Sequence, residues 1–168
     1  MEDISTAWSP SNGFDHVSFQ IYLNDPAAEG KAILPRQQAS APDDLGDWNY
    51  MAFAFGWGSN IFSSKQASAN SFGDSVGVPE ISVSTLRNEV TITIFADTVG
   101  NPLTFSGWIL YLNTFDYDGI GANFRLVRPF PREKTHSFYS DREDLFNADG
   151  DYTGPLIMDW VDPLTISY

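Results

Sequence analysis

His16-Val17-Ser18-Phe19-Gln20-Ile21-Tyr22-Leu23 decides the fold class, because its apolar residues fall on every second position: Val17, Phe19, Ile21 and Leu23. Side chains alternate between the two faces of an extended strand, so this stretch reads as a strand with one buried face. The form returns at Glu89 to Ala96, where Val90, Ile92 and Ile94 alternate with Thr91 and Thr93, and β-branched residues favour the extended backbone on both faces. Between Trp48 and Trp57 both parities are apolar, with Tyr50, Ala52 and Ala54 on one and Met51, Phe53, Phe55 and Trp57 on the other. That is the pattern of a central strand covered on both sides. Trp108 to Phe115 has the same character, and Ala32 to Leu34, Ile61 to Ser63, Glu80 to Ser84 and Phe124 to Arg128 are shorter candidates.

Reversals separate these runs. Asn24-Asp25-Pro26, Asp43-Asp44-Leu45-Gly46, Gly73-Asp74, Gly100-Asn101-Pro102 and Asp118-Gly119 all carry turn chemistry. Helical periodicity is nearly absent, and Asp141 to Asn147 is long enough for one helical turn only. Many short strands with frequent turns predict an all-β fold, an antiparallel two-sheet β-sandwich of jelly-roll or immunoglobulin-like architecture with long loops and little helix. Residues 1–168 read as one domain, with an extended N-terminal arm over 1–13 and a long acidic loop region over 129–156. A chain of this length buries about two-thirds of its unfolded surface and needs no disulfide.

Composition narrows the partners. The chain has 22 acidic and 9 basic residues, a formal net charge of −13, so its field repels polyanions and nucleic acid is not an expected partner. It contains no cysteine, which excludes thiolate metal sites and a cysteine nucleophile. No apolar run reaches the length of a membrane span. No phosphate loop, dinucleotide fingerprint or nucleophile-elbow sequence is present, and only His16 and His136 titrate near neutral pH. Catalysis has little support in these residues.

Several motifs resemble one family. Ser11-Asn12-Gly13-Phe14, the strand ending Ile21-Tyr22-Leu23, Leu34-Pro35-Arg36, the Gly56-Trp57 turn, Gly107-Trp108-Ile109-Leu110-Tyr111 running to Asp116-Tyr117-Asp118-Gly119, and the closing Ile157-Met158-Asp159 are similar to the C-terminal module of glucodextranases and amylopullulanases. Those modules lie in the broad group of β-sandwiches that includes DOMON domains and family 9 carbohydrate-binding modules. The resemblance implies a noncatalytic carbohydrate-binding or cell-surface attachment module, secreted or held at the cell surface. Its partner would be a polysaccharide or cell-surface glycan within an extracellular polysaccharide-degrading system.

Sugar binding needs an exposed aromatic face on which pyranose C–H groups stack. Trp57, at a strand end before Gly58, is the expected platform, with Trp48 and Tyr117 as seconds. Against this stands the ordinary use of aromatic residues as core. Asn147, Asp149 and Asp151 have the alternate spacing that lets side-chain oxygens converge on calcium, although the sixth loop position is Tyr152 and the twelfth Met158, unlike an EF-hand. Asp116 and Asp118 form a weaker pair, and Asp43, Asp44 and Asp47 a third group. The plain alternative for each is a solvated turn. Two other functions remain open at this stage. One is a surface-layer or filament subunit that self-assembles by strand exchange, or docks a neighbouring domain of a larger polypeptide, at an exposed strand edge. The other is a haem b electron-transfer subunit with axial ligands from Met51, Met158, His16 or His136.

Overall fold

The computed structural model describes residues 6, 9–15, 17–35, 39–41, 43, 45–117, 127–128 and 159–166. Its elements are β1 Val17–Asn24, β2 Ile33–Leu34, β3 Ala39–Ser40, β4 Tyr50–Phe55, β5 Gly58–Ser63, β6 Asp74–Gly77, β7 Glu80–Ser84, β8 Glu89–Thr93, a 3₁₀ turn Ala96–Val99, β9 Ile109–Tyr117, β10 Val127–Arg128 and β11 Asp159–Thr165. Among the described residues a seven-stranded antiparallel sheet runs β10-β9-β1-β4-β5-β6, with β11 also paired to β9, beside the two-stranded ribbons β2-β3 and β7-β8.

Register explains the layering. Tyr22 stands opposite Met51 on β4 and Tyr111 on β9, and Met51 opposite Phe62 on β5. These residues share one face of the sheet. They form a buried cluster with Leu34, Leu45, Trp48, Phe53 and Phe72, supplied partly by the β2 region and the connection before β4. Tyr22 meets the Trp48 ring edge-to-face at 5.3 Å and 71°, a geometry that adds about 0.5–1.5 kcal/mol beyond area burial. On the opposite face Leu23, Ala52, Ile61, Val99 and Trp108 make a second cluster, and Tyr50 stacks on Trp108 with rings 2° from parallel. Further along that face Phe14 and Val17 are buried, with Phe19, Ile81, Val83 and Val90 against them. The β7-β8 ribbon thus closes the face over β1. The described residues form an all-β antiparallel sandwich.

One sequence expectation changes here. β1 is buried on both faces, since Ser18 is 0% and Gln20 4% exposed. The polar parity of this strand lies under other chain, and the Tyr22 hydroxyl donates to the Gln20 Oε1 at 2.6 Å. Within the N-terminal arm, residues 10–13 form a turn in which the Gly13 N–H bonds the Pro10 carbonyl, with Gly13 at φ +79°.

Candidate functional site at one end of the sandwich

β4 and β5 are joined by the two-residue turn Gly56-Trp57, with Phe55 paired to Gly58. The turn is held from outside by the segment before β1. Asn12 Nδ2 donates to the Phe55 carbonyl at 2.7 Å and to the Gly58 carbonyl at 3.2 Å. Its backbone N–H bonds the Gly56 carbonyl at 2.8 Å, and the Ser11 hydroxyl approaches the same oxygen at 3.5 Å. One asparagine therefore binds the backbone before, within and after the turn. Close approach explains the glycine at 56, because an added Cβ would fall on the Phe14 carbonyl oxygen and lie 3.0 Å from Pro10 Cβ. Ser11-Asn12-Gly13-Phe14 and Gly56-Trp57 are one unit in space, although Asn12 and the Phe55 carbonyl that it binds are 43 residues apart along the chain.

Trp57, on this turn, keeps 38% of its surface exposed. The backbone that carries this indole is held by the Asn12 bonds whether or not a ligand is present. Tyr117 lies at the same end of the sheet by register: Asp116 pairs with Val17, the first residue of β1, and Ser18 with Phe55. Trp48 does not belong to the site. It is 0% exposed, and its indole N–H bonds the Ile33 carbonyl at 2.8 Å, so it is core, and its expected role as a second platform is withdrawn.

Asp116 sits in β9 with backbone partners Val17 and Arg128. Asp118, Asn147, Asp149 and Asp151 lie outside the described residues. Among the described residues no group of three side chains able to hold a metal ion occurs. Met51 is wholly buried within the cluster around Tyr22 and Trp48, where its thioether fills core space. His16, His136 and Met158 lie outside the described residues. Sequence reasoning missed one structural partner of the site, the β7-β8 ribbon, whose Val83 Cγ2 stands 3.5 Å from where a Cβ on Gly13 would be. No periodicity announces such a contact between distant segments.

An antiparallel sandwich with an exposed aromatic on a braced loop end is the architecture of a β-sandwich binding module. The chain belongs to the family described as the C-terminal binding-module, SLH-like, of glucodextranase, whose model matches residues 1–166. The family is a binding module and not a catalytic domain. No curated protein and no solved structure matches the chain significantly. No helix among the described residues is long and apolar enough to cross a membrane.

Proposed function

We propose that this chain is a noncatalytic module that binds a neutral polysaccharide or cell-surface glycan through Trp57 and holds an extracellular polysaccharide-degrading system against its substrate or its cell. The observation that carries the reading is the exposed indole on a turn that Asn12 ties down at three carbonyls. Membership of a glucodextranase binding-module family supports it, and so does the net charge of −13, which favours a neutral ligand over an anionic one. The ring supplies an apolar face for pyranose C–H groups, and neighbouring polar groups accept or donate to hydroxyls. A single platform of this kind gives affinities nearer millimolar than nanomolar, about −4 to −6 kcal/mol. A thermal melt with a panel of α-glucans tests the reading, since a ligand of the native state raises the midpoint by mass action. The rise must vanish in Trp57→Ala. No glucan shift in the wild-type protein refutes it.

A second reading has its own observation. Among the described residues β6 pairs only with β5 and forms a sheet edge, and Val76 within it and Val78 just after it are 41% and 62% exposed. An open edge with apolar neighbours is a template for strand addition, which supports assembly with a second chain. Deleting residues 1–13 does not test this, because it removes the Asn12 clamp. Sedimentation of Val76→Lys does: loss of a wild-type oligomer supports assembly at β6, and a wild-type monomer at all concentrations refutes it.

A further inference from the structure

The β7-β8 ribbon ends in the turn Thr85-Leu86-Arg87-Asn88, in which the Arg87 N–H bonds the Ser84 carbonyl and Asn88 adopts φ +50°. Leu86 at this tip is 98% exposed. A lone exposed leucine needs no explanation, and Leu103, 105% exposed, is one. It lies between Gly100, beside the Tyr50 hydroxyl, and Gly107, bonded to Ile166, at the end of the sheet opposite Trp57. The position of Leu86 is different. Val83, just before the tip, stands 3.5 Å from where a Cβ on Gly13 would be, and Ile81, Val83 and Val90 lie against Phe14 and Val17. Gly56, on the other side, lies against Pro10 and Phe14. Residues 10–14 therefore meet both the Gly56-Trp57 turn and the end of β7 that runs into the tip carrying Leu86 and Arg87. The guanidinium of Arg87 is 3.2 Å from Glu89 and their side chains are 70% and 48% exposed, so both remain open to a ligand.

We propose that this end is a composite site in which the β7-β8 tip makes a second contact with the same carbohydrate chain, so that the module takes an oligosaccharide or polymer reaching both tips and not a single sugar. The inference rests on the Trp57 reading and extends it. Trp57 stacks one residue of the chain. Leu86 offers an aliphatic surface to the C–H face of another, and the Arg87 and Glu89 pair supplies N–H donors and carboxylate acceptors to its hydroxyls. A neutral polyhydroxylated chain suits this mixture, because the pair is already internally neutralised and the surrounding surface is acidic. The two contacts act on one ligand, so the second is gained at high effective concentration.

The test is the affinity of the whole chain for linear α-glucose oligomers of increasing length, in the wild type and in Trp57→Ala, Leu86→Ser, Arg87→Ala and the control Leu103→Ser. The expected result is an affinity that rises with length in the wild type and in Leu103→Ser. Leu86→Ser and Arg87→Ala should bind short oligomers as the wild type does and long ones about fivefold or more weakly, near 1 kcal/mol on the affinity scale. Trp57→Ala should lose both. If long oligomers bind Leu86→Ser and Arg87→Ala as tightly as wild type, or if affinity does not depend on length, the composite site is overturned while the Trp57 site stands. If the wild type binds no oligomer, both fall together.

Discussion

Replacing Asn12 with alanine probes the brace on which the binding reading depends. The substitution deletes a side chain that donates to the carbonyls of Phe55 and Gly58 at 2.7 and 3.2 Å, both bonds part-buried. Each lost bond costs about 1 kcal/mol, and more where the abandoned carbonyl stays out of reach of water, so the change should destabilise by about 2 kcal/mol. In a domain of this size that lowers the melting midpoint by about 4–8 °C. Asn12→Asp sharpens the argument, because it keeps the shape but replaces both donors with acceptors and sets a carboxylate against two carbonyl oxygens. It must therefore melt below Asn12→Ala. The assay is differential scanning calorimetry at neutral pH, read with glucan affinity at a temperature where all three proteins are folded. Affinity should fall in both variants although neither touches Trp57, since the turn that positions the ring is loosened. An Asn12→Ala midpoint within about 1 °C of wild type, or an Asn12→Asp midpoint above that of Asn12→Ala, refutes the clamp.

Gly56→Ala should cost about 1–3 kcal/mol through overpacking, because the new methyl meets the Phe14 carbonyl oxygen and Pro10; a wild-type melt would show that the N-terminal segment does not close on the turn. Burial, and secondarily the neighbouring Tyr111, holds the Tyr22 pKa well above its usual value, so the folded protein keeps that proton when the unfolded chain releases it near pH ~10. Stability from this group is then whole below pH ~10 and declines as the pH rises beyond it, and Tyr22→Phe should flatten the decline; an equally steep alkaline loss in the variant refutes the assignment. From the alternate spacing of Asn147, Asp149 and Asp151 we expect calcium to raise the melting midpoint and Asp149→Ala to abolish the rise, whereas equal midpoints with calcium and chelator exclude that cation site.

The strands that alternate or are apolar on both parities were legible in the sequence, because burial of a face writes a period of two into it. β1, β4, β7 and β9 lie where the pattern puts them, within a residue or two at the ends, and β8 starts where the pattern starts it. β6 is not visible, since Asp74-Ser75-Val76-Gly77 is an edge strand with no buried residue and a register shift against β5. β11 is hidden by Pro163 and by the irregularity between Val161 and Leu164. β5 begins three residues earlier than its apolar part, because Gly58, Ser59 and Asn60 owe their pairing to the turn before them. The last residues of the predicted Glu89 to Ala96 strand leave the ribbon, and Ala96 opens a 3₁₀ turn closed by Gly100 at φ +85°. For the site, sequence alone marked Trp57 and the Asn-Gly-Phe motif separately. It did not separate an exposed tryptophan from Trp48, which differs only in the tertiary cover that β2 and the preceding connection provide.

The most direct test of the central claim is affinity electrophoresis of wild-type protein and Trp57→Ala through gels containing soluble α-glucan. The account predicts retardation of the wild type, and migration of Trp57→Ala as in a glucan-free gel at a temperature where both proteins are folded. Retardation of both proteins alike, or of neither, would contradict it.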